Sequence, residues 1–265
     1  MAQNPPLQGL SIVNTRANHQ AEPLTTALLM QGASVLHYPA IAIAPPADTS
    51  ALDAALTDAL ADVFDWLVIT SANTVESLAQ RLEIGASPGL ATGHLRVAAI
   101  GTATAEAAER RLGVQVSVVP DEQIAESLAN ALAVQPGQRI LLPQSEITHP
   151  LLAEALQAAG ADVTQVTAYR TLIGQGGDPV PQLFWEGRID AVTFTSPSTV
   201  HNFLKRLKAA GGNPGMLVDV AVACIGPQTA AAAASHSLPR PLQPDQSTLP
   251  ALVQTLVRHF QERQG

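Results

Sequence analysis

Written against itself, the sequence repeats, and that repeat restricts the possible architectures more than any other feature of the chain. Residues 10–38 run from an apolar stretch through an Ala- and Leu-rich stretch to "GASV", and residues 139–169 do the same, reaching "GADV". These are the A segments. A second pair follows: "DWLVITSANTVESL" from Asp65 resembles "DAVTFTSPSTVHNFL" from Asp190, and "VAAIGTATAEAA" from Val97 resembles "VAVACIGPQTAAAA" from Val220. These are the B segments, and even their tails agree, "VVPDEQIAESLANAL" from Val118 matching "PLQPDQSTLPALVQTL" from Pro241. The order is A, B, A, B.

Within each segment, short runs rich in Val and Ile alternate with amphipathic Ala- and Leu-rich stretches, the pattern of βα units feeding a mostly parallel sheet. Strands are expected at 10–14, 34–37, 66–70, 96–100, 116–119, 139–142, 162–167, 191–195 and 220–225. Helices are expected at 18–31, 50–60, 73–82, 102–112, 123–133, 149–159, 198–209, 227–235 and 248–263. The fold class is α/β: two similar domains, each a mostly parallel sheet flanked by helices, joined by a two-stranded linker. Periodicity leaves the pairing of the segments open, and the breaks bear on it. Pro39 to Pro46 follows the first A segment, and a stretch with Gly174, Gly176 and Gly177 follows the second, while only Gln135-Pro136-Gly137 separates the first B from the second A. The outer pair is therefore expected to enclose the inner one, with 1–39 and 174–265 as one domain, 44–168 as the other, and linkers at 40–43 and 169–173.

Composition excludes several functions. Among 265 residues, 46% are apolar and 14% charged, enough to bury sizeable cores and too apolar for disorder on the scale of the chain. The formal charge of −8, with basic residues scattered apart from Lys205, Arg206 and Lys208, gives nucleic-acid binding no support. Cys224, the one cysteine, lies in the apolar run 220–225 and can form neither an internal disulfide nor a Cys-rich metal site. Seven histidines are spread singly, with no H-E-x-x-H, so no metal site is expected and each reads as a structural or surface residue. No G-x-G-x-x-G, P-loop or G-x-S-x-G motif occurs. Residues 1–9 lack a basic start and an apolar h-region, and no stretch approaches a membrane span, so a soluble, cytoplasmic protein is expected.

In open parallel sheets ligands bind beyond the carboxyl ends of the strands. Here Thr70-Ser71-Ala72-Asn73-Thr74, Gly101-Thr102-Ala103-Thr104, Thr195-Ser196-Pro197-Ser198-Thr199 and Gly226-Pro227-Gln228-Thr229 each place hydroxyls and backbone N–H groups at a helix start. Asn14-Thr15-Arg16 ends the first strand the same way. Helix N-termini carry about half a positive charge and accept anions. Taken singly, such residues are also preferred helix caps that need no ligand.

These motifs, with "VTAYRT" from Val166, "AIGTATA" from Ala99 and "CIGPQTA" from Cys224, resemble uroporphyrinogen-III synthases over essentially the whole chain. The resemblance implies a cofactor-free lyase acting on hydroxymethylbilane, a linear tetrapyrrole with eight carboxylates, lying between two domains. It implies loss of the substrate hydroxyl to an azafulvene, attack by the far pyrrole through its substituted carbon, and inversion of ring D. Carried over by motif, Tyr169 is the catalytic candidate, as proton donor or leaving-group orienter. Arg16, Ser71, Thr104, Ser196, Ser198, Gln228 and Thr229 are the substrate-binding candidates. The chain departs from the family at Pro143-Gln144-Ser145, where many members carry a basic residue or glycine, and at Asn73, where many carry Arg. The implied protein acts as a monomer without nucleic acid or membrane, and transient contact with the enzyme that makes its substrate is an open expectation. A non-catalytic two-lobed module for a small polyanion is the second reading, although such proteins usually carry a secretion signal.

Overall fold

The computed structural model describes residues 4–87, 89–90, 93–122 and 124–263. They fall into two compact units, one drawn from Met1–Ala42 and Leu172–Gly265 and the other from Ile43–Thr171.

The first unit is built on a parallel sheet of β1 (Ser11–Asn14), β2 (Ser34–His37), β9 (Ala191–Phe194) and β10 (Ala221–Cys224), in the order β10-β9-β1-β2. Ile12 pairs with Val35 on one side and Ala191 on the other, and Val192 pairs with Val222. Strands apolar on both faces can be buried on both, and here the period of two divides them between two cores. Val13, Val192, Phe194, Val222 and Cys224 enter one core, with Phe203 of α8 (Pro197–Ala209) and Ala233 of α9 (Pro227–Ser235). Ile12, Ala191, Ala221 and Ala223 enter the other, with Leu24 and Leu28 of α1 (Glu22–Met30) and Leu252 and Leu256 of α10 (Leu249–Glu262).

The second unit has a six-stranded sheet in the order β3-β8-β7-β4-β5-β6, from β3 (Ile41–Ala44), β4 (Trp66–Ile69), β5 (Arg96–Ala99), β6 (Val116–Val118), β7 (Arg139–Ser145) and β8 (Asp162–Ile173). The same alternation sorts β4: Leu67 and Ile69 face α2 (Ser50–Leu60), α3 (Ala72–Ile84) and α4 (Thr102–Leu112), while Trp66 and Val68 face α5 (Ala125–Leu132) and α6 (Leu151–Ala158).

Several expected element bounds change. Strand β7 continues past Leu142 through Pro143, because its pairing with β4 stops at Leu67–Leu141 and the missing Pro143 N–H leaves no gap in a ladder. Strand β8 runs on past Thr167 to Ile173 beside β3, beyond the strand bounds expected for it. A short helix, α7 (Val180–Trp185), buries Val180, Leu183 and Phe184 where no element was expected, as does a 3₁₀ turn at Pro214–Leu217. The helix expected from residue 18 breaks into a 3₁₀ turn, Asn18–Gln20, and α1, which opens where Pro23 fits the first turn. The expected start of α5 at Gln123 lies outside the described residues.

Candidate functional site

In the second unit the functional side chains are set by one cap and one bulge. Ser71 follows β4 in extended conformation and caps α3, its Oγ accepting from the Thr74 N–H at 3.1 Å. Such a cap contributes about 1 kcal/mol. The same oxygen lies 3.1 Å from Thr74 Oγ1 and 3.2 Å from the Tyr169 hydroxyl. Tyr169 arrives there because the β7–β8 register slips: Gln144 opposes Thr167, but Ser145 opposes Tyr169. Ala168 is the extra residue, and its carbonyl accepts from Ser77 Oγ of α3. A bulge turns the following side chain to a new direction, so Ala168 and Tyr169, though consecutive, both pack into the core beneath α3. Tyr169 is only 8% exposed, and its backbone carbonyl accepts from the Glu146 N–H at 2.9 Å.

Thr104 is the third residue of α4 and is buried. The cap before it, Gly101, has no side chain to offer, so the first turn of α4 carries no side-chain cap, in contrast with α3.

The first unit repeats this division. Ser196 caps α8 in a full capping box: its Oγ accepts from the Thr199 N–H at 3.2 Å, and Thr199 Oγ1 accepts from the Ser196 N–H at 3.2 Å. Ser198 Oγ lies 2.9 Å from Ser196 Oγ. Helix α9 starts from Gly226 without a side-chain cap, with Gln228 exposed and Thr229 buried in its first turn. The four loops that looked alike in sequence are thus of two kinds. Those of α3 and α8 satisfy a helix-start N–H with a serine side chain, while those of α4 and α9 have no side-chain cap, although the Thr104 N–H of α4 donates to the Gly101 carbonyl at 3.1 Å.

Arg16 is positioned by its neighbours in the strand end Asn14-Thr15-Arg16 and by the residues that they bind. Asn14, fully buried, donates from its amide to the Ala21 carbonyl at 2.9 Å and to Thr25 Oγ1 at 3.0 Å, and accepts from the Arg16 N–H at 3.1 Å. Thr15 donates to the Thr193 carbonyl at 2.6 Å, and Thr193 to the Val13 carbonyl at 2.8 Å, tying the loop to β9. Arg16 Nε donates to the Gln20 carbonyl at 2.7 Å. Burial pushes the Arg16 guanidinium below the ordinary arginine range, and no described carboxylate pairs with it, unlike Arg81, Arg110, Arg111 and Arg188. A half-buried cation without a counter-ion is an attractive seat for a ligand carboxylate.

The spacing S-x-x-T at Ser71–Thr74 and Ser196–Thr199 was the signal for the supporting threonines. Asn14 could have been read as a buried polar residue holding a loop, whereas the Ala168 bulge has no sequence mark. Cys224 is fully buried and its thiol is pushed up to about 12, so it stays protonated and inert, as its place in an apolar strand implied. No group of three or more potential metal ligands occurs among the described residues. No helix of the described residues is long and apolar enough to cross a membrane.

The structure brings Ser71 and Tyr169 together in the second unit, which also holds Thr104. It brings Ser196 and Ser198 together in the first unit, which also holds Arg16, Gln228 and Thr229. Comparison with known proteins gives this division a context. The family described as "Uroporphyrinogen-III synthase HemD" matches residues 22–254. A uroporphyrinogen-III synthase of Synechococcus elongatus is 36% identical over 230 residues, covering 84% of this chain and 85% of that one. Among solved structures, a mutant uroporphyrinogen III synthase of Thermus thermophilus superposes with a TM-score of 0.62 at 20% identity, covering 96% of this chain and 99% of that one. The Helicobacter pylori uroporphyrinogen-III synthetase gives 0.60 at 16% identity, covering 94% and 99%. At these identities the two structures speak for the fold alone.

Proposed function

The chain belongs to the uroporphyrinogen-III synthase family, and on that premise we propose that it is a lyase converting hydroxymethylbilane to uroporphyrinogen III, with Tyr169 as the acid and helix starts as carboxylate binders. The observation that carries this reading is the match to the family over residues 22–254.

The reaction needs a hydroxyl to leave as water, and Tyr169 can supply the proton. Ser71 has one proton and two lone pairs, and one lone pair already accepts from the Thr74 N–H. If Ser71 donates to the phenol oxygen, the phenol proton is free to point at the departing hydroxyl. The same Ser71 O–H then stabilises negative charge as it grows on that oxygen. The C–O bond breaks, water leaves with the proton from Tyr169, and the terminal pyrrole becomes an azafulvene cation. Attack by the far pyrrole through its substituted carbon gives a spiro intermediate, which fragments and recloses with ring D inverted. The proton lost as the ring regains aromaticity returns to Tyr169, so the balance is one water released per substrate.

Eight carboxylates must be held so that the two ends of the chain meet, which is catalysis by proximity. Uncapped helix starts at Thr104 and at Gln228 and Thr229 suit carboxylates best. Arg16 supplies a cation, while Ser71, Ser196 and Ser198 supply hydroxyls. We further propose 1–39 with 174–265 and 44–168 as the functional domains, with linkers at 40–43 and 169–173. The division into units falls after Ala42 and after Thr171, inside both linkers, which supports this. A cytoplasmic monomer that needs no cofactor and binds neither nucleic acid nor membrane completes the reading.

The deciding experiment incubates the protein with freshly generated hydroxymethylbilane and separates the ring isomers. Excess type III product supports the reading. Only the type I ring, formed without assistance, would overturn it and leave a non-catalytic binder of polyanions.

A further inference from the structure

His201 and His236 are 35 residues apart, and no motif spacing links them, yet the fold of the first unit brings them together. His201 lies one turn into α8, and His236 follows the last residue of α9, a helix packed against α8. Their rings meet edge to face, with centroids 5.0 Å apart and planes at 72°. Nδ1 of His201 stands 2.8 Å from Nε2 of His236, and both residues are solvent-exposed. In such a contact one ring donates and the other accepts, so at least one imidazole lone pair already points into the space between them.

We propose that His201 and His236 form a two-histidine site for a divalent transition cation of borderline softness, such as Zn²⁺, which clips α8 to α9. Imidazole is the side chain that such cations prefer, through a neutral ring nitrogen. Metal–nitrogen bonds of about 2.0–2.1 Å at a tetrahedral centre set the two ligand atoms roughly 3.3 Å apart. The rings therefore have to part by about half an ångström, an adjustment within reach of exposed side chains. Binding moves the proton in the contact to the far nitrogen of the same ring, so two neutral rings release no proton. Burial, His236 and Lys205 together hold the His201 imidazole below its ordinary range. Lys205, one turn further along α8, also weakens attraction for a cation. No third potential ligand joins the pair among the described residues, so water fills the remaining positions and the metal exchanges freely. The clip joins the two helices whose first turns carry Ser196, Ser198, Gln228 and Thr229.

The test titrates ZnCl₂ into the full chain by calorimetry at pH 7.5 and pH 5.5. One equivalent is expected at the higher pH, with weaker binding at the lower, because protons compete with the metal for ring nitrogens. His201→Ala and His236→Ala should each weaken it by at least tenfold, since even the loss of an outer-shell partner of a metal ligand costs about that much. His19→Ala and His149→Ala should leave it unchanged. Should an alanine variant fail to fold, the ring-nitrogen NMR resonances of the unmodified protein decide: Zn²⁺ must move those of two histidines and leave the other five in place. No binding at pH 7.5, undiminished affinity in the double variant, or shifts spread over all the histidines would each overturn the site.

Discussion

Ser71 Oγ and the Tyr169 hydroxyl lie 3.2 Å apart across 98 residues of sequence, and each is held by a separate device. The serine is fixed by its cap on α3, and the tyrosine by the bulge at Ala168. Neither needs the other in order to be placed. Their contact is therefore a good point at which to separate structural from chemical roles.

Tyr169→Phe keeps the ring in the core and removes the phenol donor. It should lower kcat by roughly ten- to a thousandfold, within the range for a positioned acid, and change the melting temperature little. Steady-state kinetics on fresh substrate, beside a thermal melt, checks this. An unchanged kcat would leave Tyr169 as packing only.

Ser71→Ala should cost about 0.5–2 kcal/mol of stability through the lost cap, and it should also reduce turnover by removing the proposed hydrogen-bond partner of Tyr169. The two effects separate in a double-mutant cycle on kcat/KM with Tyr169→Phe. Residues sharing one hydrogen-bond chain are expected to couple by about 0.5 kcal/mol or more. Strict additivity would rule out the relay.

Ser196→Ala breaks a capping box and should destabilise the first unit by about 1 kcal/mol. Its effect on turnover should be modest, about tenfold at most, because carboxylate binding is spread over many donors. Ser198→Ala, which leaves the capping bonds in place, should not alter the melt. A loss of turnover beyond a thousandfold from Ser196→Ala, with the fold intact, would point to one essential serine instead.

Most of the sheet was legible in the sequence because strands apolar on both faces leave a continuous signal. What was missed shows where that signal ends. Pro143 reads as a stop, and only the register of β4 shows that its missing N–H matters little. The four hydroxyl-bearing loops read alike, and only hydrogen bonds divide the capped starts of α3 and α8 from the uncapped starts of α4 and α9. His201 and His236 read as solitary residues, because spatial proximity over 35 residues has no local spacing. The glycines after β8 read as a flexible break. In the structure Gly174 and Gly177 instead permit close backbone contact, an added Cβ standing 1.9 Å from the Pro39 carbonyl oxygen or 2.2 Å from that of His37.

Gly174→Ala should accordingly destabilise strongly. Its own N–H donates to the Ala40 carbonyl at 2.9 Å, so relief of the clash by moving the chain would break that bond. A loss of about 3 kcal/mol, roughly 10 °C in melting temperature, is expected. Gly176→Ala meets no atom within 4 Å but keeps a backbone with φ of +70°, and should cost only about 1 kcal/mol. Equal melts for the two variants would show that the region is simply a loose connection.

Arg16 offers a case where stability and function should move in opposite directions. Its guanidinium is half-buried, its protonated form is disfavoured by burial, and no described carboxylate compensates it. Replacing a buried unpaired cation with an apolar chain of similar length removes a desolvation cost, while losing the 2.7 Å bond to the Gln20 carbonyl. Arg16→Met is therefore expected to melt within a few degrees of the parent or slightly above it. The same change removes the charge-assisted contact proposed for the ligand, so affinity for the uroporphyrinogen III product should fall about ten- to a hundredfold. The salt dependence of product binding should weaken in parallel, since screening acts on the charge that has been removed. Parallel melts and product titrations at two ionic strengths measure both sides. A variant that is clearly destabilised yet binds product normally would show that Arg16 serves its own loop and not the substrate.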